Sequence, residues 1–120
     1  MRKLGDLEAL VMEQLWSSGG RLAVRQVLDA LPDGRTRAYT TVMTVLDNLF
    51  QKGFVERERS GRAYVYWATQ GRAEHTAKAM EDALASGGGD RGAALLHFVE
   101  QLTPEESAQL KALLDEAGRS

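Results

Sequence analysis

The 120-residue sequence contains no cysteine, which excludes disulfides, thiolate chemistry and Cys-ligated zinc. Its two histidines, His75 and His97, stand far apart and offer no metal-ligand spacing, so no metal and no other cofactor is expected. No apolar run approaches the ~20 residues a membrane span needs, and no basic-then-apolar leader opens the chain. The expectation is an unprocessed cytoplasmic protein with no membrane partner. Catalytic constellations are missing too: there is no Ser/His/Asp or Cys/His set and no phosphate-binding loop. Gly87-Gly88-Gly89 lacks the preceding strand and the following Lys-Ser/Thr of such a loop and reads as a linker. Glu105 and Glu106 belong to a helix cap, not to acid–base work. No catalytic residue is assigned, and an enzyme is not expected.

Net charge is small, with 15 Lys/Arg against 17 Asp/Glu, but its distribution is uneven. Residues 1–69 hold ten Lys/Arg against eight Asp/Glu, whereas residues 70–120 hold five against nine. Between Arg35 and Arg62 there are six basic residues and three acidic ones. Nucleic-acid binding leans on such local excess, not on the net charge of −2. The excess is modest, so a dimer would bind better than a single copy.

Three apolar periodicities at helical spacing occupy the first half. Leu7, Leu10, Val11 and Leu15 line a first helix, expected to start at Asp6 as N-cap, run to about Trp16 and end at Ser17-Ser18-Gly19-Gly20. Val24, Val27, Leu28 and Leu31 line a second, stopped by Pro32 and Asp33-Gly34. Arg21 and Arg25, at its start, could grip a DNA backbone. The third, AYTTVMTVLDNLF, puts Tyr39, Val42, Leu46, Leu49 and Phe50 on one stripe, with Gly53 suited to its left-handed end.

The other side of this third helix carries Thr40, Thr41, Thr44, Asp47, Asn48 and Gln51. Threonine is a poor helix former, and a solvent face normally carries Lys and Glu. A hydroxyl beside a methyl can meet a phosphate, a base edge or a thymine methyl. Such a face suits a recognition helix; the alternative is an incidental β-branched surface. Then come Phe54–Arg59 and Ala63–Ala68, two β-rich runs around the turn Ser60-Gly61-Arg62. Arg57, Arg59 and Arg62 either reach phosphates or form cross-strand ion pairs with Glu56 and Glu58. Three helices followed by a two-stranded wing make a winged helix-turn-helix plan, placed at residues 1–69.

Residues 70–120 read as a second, helical domain. Ala73, Ala77, Met80 and Leu84 give a thin stripe over Gly71–Ala85, and the linker follows. Ala94, Leu95, Phe98, Val99 and Leu102 line a further helix. Thr103-Pro104-Glu105-Glu106 opens the last as a capping box with proline at its first position, ahead of Leu110, Leu113 and Leu114. Three thin helices cannot hide these leucines. The segment is therefore expected to dimerise through Leu95, Phe98, Val99, Leu102, Leu110 and Leu113, unless it folds back on the first domain. The fold class is thus mainly α with a small β-hairpin wing, a winged helix-turn-helix domain plus a helical dimerisation module. Two-fold pairing would match a palindromic operator.

The runs LEALVMEQLW, VRQVLDAL, AYTTVMTVLDNLFQKGFVERE and LLHFVEQLTPEESAQLKALL together resemble the penicillinase-repressor (BlaI/MecI) family, in particular actinobacterial members. The resemblance covers nearly the whole chain. It implies a homodimeric repressor on double-stranded palindromic operators, commonly with TACA/TGTA-type half-sites, upstream of resistance or stress genes. It assigns recognition to Thr40, Thr41 and Thr44, with Arg37 and Tyr39 at the helix start and the wing at Arg59 to Arg62. In better-known members a membrane-bound protease sensor triggers cleavage at an Asn-Phe bond. The pair here is His97-Phe98, so either a regulatory protease accepts His or release follows another route; His97 otherwise reads as the polar side of a helix. Copper-responsive relatives carry a Cys-rich tail, which is missing here. The competing reading is a winged-helix module that binds another protein; it would call for large exposed aromatics where the threonines stand.

Overall fold

Helical apolar spacing in the first half becomes three helices closed over by a small sheet. The structure is a computed structural model, and it describes residues 4–119. The order is α1 (Asp6–Ser18), β1 (Leu22–Ala23), α2 (Val24–Ala30), a 3-10 turn (Gly34–Thr36), α3 (Tyr39–Lys52), β2 (Val55–Ser60), β3 (Ala63–Ala68), α4 (Arg72–Ser86), α5 (Arg91–Glu100) and α6 (Pro104–Ala117). The chain divides into two compact units, Met1–Ala79 and Met80–Ser120.

In the first unit, Val11, Met12 and Leu15 of α1 meet Val24, Val27 and Leu28 of α2 and Val42, Leu46 and Leu49 of α3. Leu31, Val55 and Tyr66 complete this core. The expected stripe of α1 is corrected on one side: Leu10 is exposed and Met12 is buried in its place. Met12 lies three residues before Leu15 and shares its face, whereas Leu10, five before, lies about 140° round the helix; the flexible thioether fills the gap between helices. Tyr39, expected on the buried stripe of α3, is 37% exposed because it stands in the first turn, beyond the reach of the core.

Helix boundaries follow local chemistry. Asp6 is not the N-cap of α1; Gly5 takes that place, and its backbone N–H donates to Glu8 Oε1 at 2.7 Å. Glu8 is buried and also accepts from Lys52 Nζ at 2.8 and 2.9 Å, which ties the start of α1 to the end of α3. Burial pushes the Glu8 carboxyl up, but the Gly5 N–H and the Lys52 ammonium outweigh it and hold it below the usual range. Helix α3 ends in a Schellman motif: Gly53 N–H donates to Phe50 O at 3.1 Å and Phe54 N–H to Leu49 O at 2.9 Å, with Gly53 at φ 85°.

Between α2 and α3 the chain passes so close to itself that a Cβ on Gly34 would lie 2.1 Å from the Leu28 carbonyl oxygen. Only glycine fits that turn.

The sheet has three strands, in the order β1-β3-β2, all antiparallel. The expected hairpin forms, but its first strand is shifted by one residue: Ser60 belongs to β2 and stands opposite Ala63, which leaves Gly61-Arg62 as a two-residue turn. Strand β1 was not anticipated; it places Leu22 opposite Tyr66 and Ala23 opposite Val65. Arg21 therefore precedes a strand instead of opening α2, as the sequence had suggested. The first turns of α4 stay with this unit: His75 packs between Trp16 and Phe54 with ring centroids 5.2 and 5.6 Å away, and Arg72 pairs with Glu13. That contact displaces the expected stripe, since Ala73 and Ala77 are exposed and His75 turns inward.

The second unit contains the rest of α4 with α5 and α6, and none of these helices buries a residue. Thr103 caps α6 as expected, accepting from Glu106 N–H at 3.1 Å while Glu106 Oε1 accepts from Thr103 N–H at 2.9 Å. Apolar side chains stay on the surface: Phe98 is 48% exposed and Leu114 64%. A groove of about 390 Å³ runs along Met80, Leu84, Ala94, Leu95 and Phe98. Leu102 and Leu110 are half-buried.

Candidate nucleic-acid interface

Burial of Val42, Leu46 and Leu49 fixes the rotation of α3, and that rotation turns Thr40, Thr41 and Thr44 out to solvent. None of the three hydroxyls has a hydrogen-bond partner among the described residues. Met43 joins them, 43% exposed. Sequence reading passed over this residue, although an apolar side chain outside the buried stripe was the signal. Asn48 completes the outward side.

The N-terminal end of α3 is electropositive. No side chain caps its first turn, whose N–H groups and dipole favour an anion. Arg25 of α2 lies over the Tyr39 ring, 5.2 Å from its centroid. Arg37 is held by Asp33, with Nε and a terminal nitrogen each 2.8 Å from Oδ2. The Arg37 guanidinium beside it keeps the Asp33 carboxyl below the usual range. These groups line one cleft of about 730 Å³ together with Thr36 and Leu31. Two cations, a phenol and an uncapped helix end thus converge on this cleft, whose wall also carries Asp29 and Asp33.

The wing carries two kinds of arginine. Arg59 and Arg62 are exposed, Arg62 in the turn with no partner among the described residues and Arg59 5.5 Å from the Tyr64 ring. Arg57 points inward. Its guanidinium lies 4.0 Å from the Phe50 ring and 4.4 Å from the Tyr64 ring, and it donates to Asp47 Oδ1 at 3.0 Å. It therefore clamps the hairpin to α3, a role that the sequence, with three similar arginines in six positions, did not disclose.

Of the residues singled out from sequence, Arg25, Arg37, Tyr39 and Thr40 come together around the start of α3, with Thr41 and Thr44 one turn on. Arg59 and Arg62 stand at the hairpin end. Arg21 joins neither group. It pairs with Glu58 and stacks over Trp67 at 4.0 Å. Strand alternation puts Glu56, Glu58, Val65 and Trp67 on one face of the sheet, opposite the face where Arg57, Tyr64 and Tyr66 meet α3 and the core. His97 lies within α5 with its side chain 83% exposed, its Nδ1 3.6 Å from Glu100 Oε1, and Phe98 follows it on the apolar side.

Three helices, an antiparallel wing and an outward polar helix face define a winged-helix DNA-binding protein. The sequence matches the family described as Penicillinase repressor over residues 4–116, and the chain belongs to that family. It is similar to the transcriptional regulator BlaI of Mycobacterium tuberculosis, 47% identical over 118 residues that cover 97% of this chain and 86% of the relative. Among solved structures, the DNA-binding domain of the repressor BlaI superposes with a TM-score of 0.51 and 26% identity, covering 62% of this chain and 93% of that one. MepR, a transcription regulator of the Staphylococcus aureus multidrug efflux pump MepA, shares the fold with a TM-score of 0.51 and 20% identity, over 96% and 78% of the two chains. The protein is a transcriptional regulator, not an enzyme. Among the described residues no helix is long and apolar enough to cross a membrane.

Proposed function

We propose that this chain is a homodimeric repressor that occupies a palindromic operator and is displaced by an inducing signal. The single observation that carries the reading is the outward face of α3, with three unpartnered threonines beside an uncapped, arginine-flanked helix start. In this reading α3 enters the major groove. Thr40, Thr41 and Thr44 touch base edges, Met43 offers a methyl to thymine, and Arg25, Arg37 and Tyr39 hold the adjacent phosphates. Arg59 and Arg62 reach the backbone or minor groove from the wing. Arg21 takes no part, since it faces the other side of the sheet.

The bare apolar set on α5 and α6 supports pairing of two copies. Leu95, Phe98, Val99, Leu102, Leu110 and Leu113 are left uncovered or half-covered in one chain, more than a soluble monomer of this size tolerates. Two copies present two recognition helices to two half-sites and double the phosphate contacts. Genes for β-lactam resistance, cell-wall or stress responses are the targets that the family membership favours. Relief by a regulatory protease at His97-Phe98 would require α5 to unwind, because a protease reads extended chain. A cytoplasmic location follows from the proposed operator.

Fluorescence anisotropy of the purified chain against its own upstream DNA, with a scrambled duplex and a salt series, tests the reading. Binding confined to the native fragment, with a steep salt slope, is the expected result. Equal and weak binding to both duplexes would instead favour a protein partner for the α3 face.

A further inference from the structure

On the face of the sheet that does not meet α3, the structure forms a cleft of about 420 Å³ within the first unit. Its walls are Trp16 at the end of α1 and Trp67 in β3, the only two tryptophans in the chain. Both indoles are fixed through their N–H groups: Trp16 donates to Gln70 O at 2.9 Å and Trp67 to Glu56 Oε2 at 3.1 Å. Neither ring has a donor left to offer; the Arg21 guanidinium already lies over the Trp67 ring and His75 packs on Trp16, so a ligand meets the π surface that these leave open.

The donors that remain are cationic. Arg21 and Arg72 both line the cleft, 4.0 Å from the Trp67 centroid and 5.8 Å from that of Trp16. Each already holds a carboxylate, Glu58 for Arg21 and Glu13 for Arg72. The side chains of both pairs are half or more exposed, and such pairs are weak. Each pair rests on one nitrogen–oxygen contact, so a carboxylate arriving in the cleft would replace like with like and could add the second contact that a guanidinium fork favours.

The space between the walls is kept open by small residues. Gly20 adopts no positive φ and a Cβ there would meet nothing within 4 Å, so neither backbone nor packing requires glycine at this position. A side chain at Gly20 would stand beside the ligand space.

We propose that this cleft binds a small carboxylate with a flat aromatic body, the ring lying against the indoles and the carboxylate bridging to Arg21 and Arg72. Pocket volume suits it, since small-ligand sites begin at about 300 Å³. The site is independent of the α3 face, and binding there would shift Arg21 away from Glu58 and so alter the charge carried by the wing.

Titration of the intact chain with 2-naphthoate, followed by ¹H–¹⁵N NMR, tests this directly because the two indole N–H signals are unique reporters. Saturable movement of both signals below about 1 mM is expected. The Arg21→Gln/Arg72→Gln double variant, and separately Gly20→Leu, should each weaken binding about tenfold or more while the amide spectrum stays dispersed. Neutral 2-naphthamide should bind at least about tenfold more weakly than the acid. Indole signals that never saturate, affinity unchanged in both variants, or equal binding of the amide would each overturn the proposal.

Discussion

The guanidinium of Arg57 bonds to Asp47 at 3.0 Å while lying between the rings of Phe50 and Tyr64, so the wing and the proposed recognition helix share one cation. Asp47 is half in solvent although the Arg57 side chain is only 21% exposed, so the pair contributes modestly. The two aromatic faces add cation–π attraction and fix the guanidinium in place. Arg57→Ala should lower stability, read as a drop in urea midpoint at constant slope. It should also loosen the hairpin, seen as faster hydrogen exchange in β2 and β3 than in α2. Protection that stays uniform across the unit would mean that the ladder alone holds the wing.

Base reading and phosphate holding should separate by mutation. Thr44→Ala should reduce discrimination between operator and single-base variants by ~1–3 kcal/mol. Arg62→Ala should weaken all duplexes alike and reduce the salt slope by about 1. Competition anisotropy with a panel of substituted duplexes distinguishes the two patterns. Identical effects of both variants would remove Thr44 from base contact.

Pairing through the second unit is tested at Phe98. Phe98→Asp places a charge amid the exposed apolar set and should give monomers in analytical ultracentrifugation, with the first unit still folded. A stable dimer of that variant would move the interface elsewhere.

Gly34 should tolerate no side chain. Gly34→Ala forces a Cβ onto the Leu28 carbonyl, and the backbone shift needed should cost ~1–3 kcal/mol. Gly20→Ala, with open space around its Cβ, should stay within ~0.5 kcal/mol of the parent. Thermal denaturation of the two variants side by side provides the comparison.

Acid should weaken the first unit partly through Glu8. Its carboxyl titrates below its ordinary value when folded, so the unfolded chain binds the proton first as pH falls. The stability from the Lys52 and Gly5 contacts is thus fully present above the ordinary carboxylate range and is lost as pH drops through the depressed folded value. Urea midpoints measured from pH 7 to pH 3 should fall less in Glu8→Gln than in the parent. Parallel curves would assign the acid sensitivity to other carboxylates.

The parts legible in the sequence were those governed by long periodicity. The spacing of Val42, Leu46 and Leu49 alone defines the buried face of α3, and the outward threonines follow from the same count. The capping box at Thr103 was equally plain because both of its halves are local. Short or three-dimensional effects were not. Strand β1 is two residues, too brief for any alternation to register, yet it decides that Arg21 turns to the far face of the sheet. Leu10 and Met12 are both apolar and flank one stripe, so only the packing of α2 and α3 selects between them. Arg57 looked like Arg59 and Arg62 until Phe50 and Asp47 supplied the reason for its inward turn.

The two-residue period of the wing bears on how such a gene can change. Residues can be gained at the Gly61-Arg62 tip without disturbing either strand. A single codon inserted in β2 between Val55 and Glu56 would exchange the neighbours of every following position in that strand. Acidic side chains would then meet Phe50 and Tyr64, and arginines would crowd Trp67. Length variation among functional descendants of this sequence is therefore confined to the tip, or to compensated pairs of insertions along the strands.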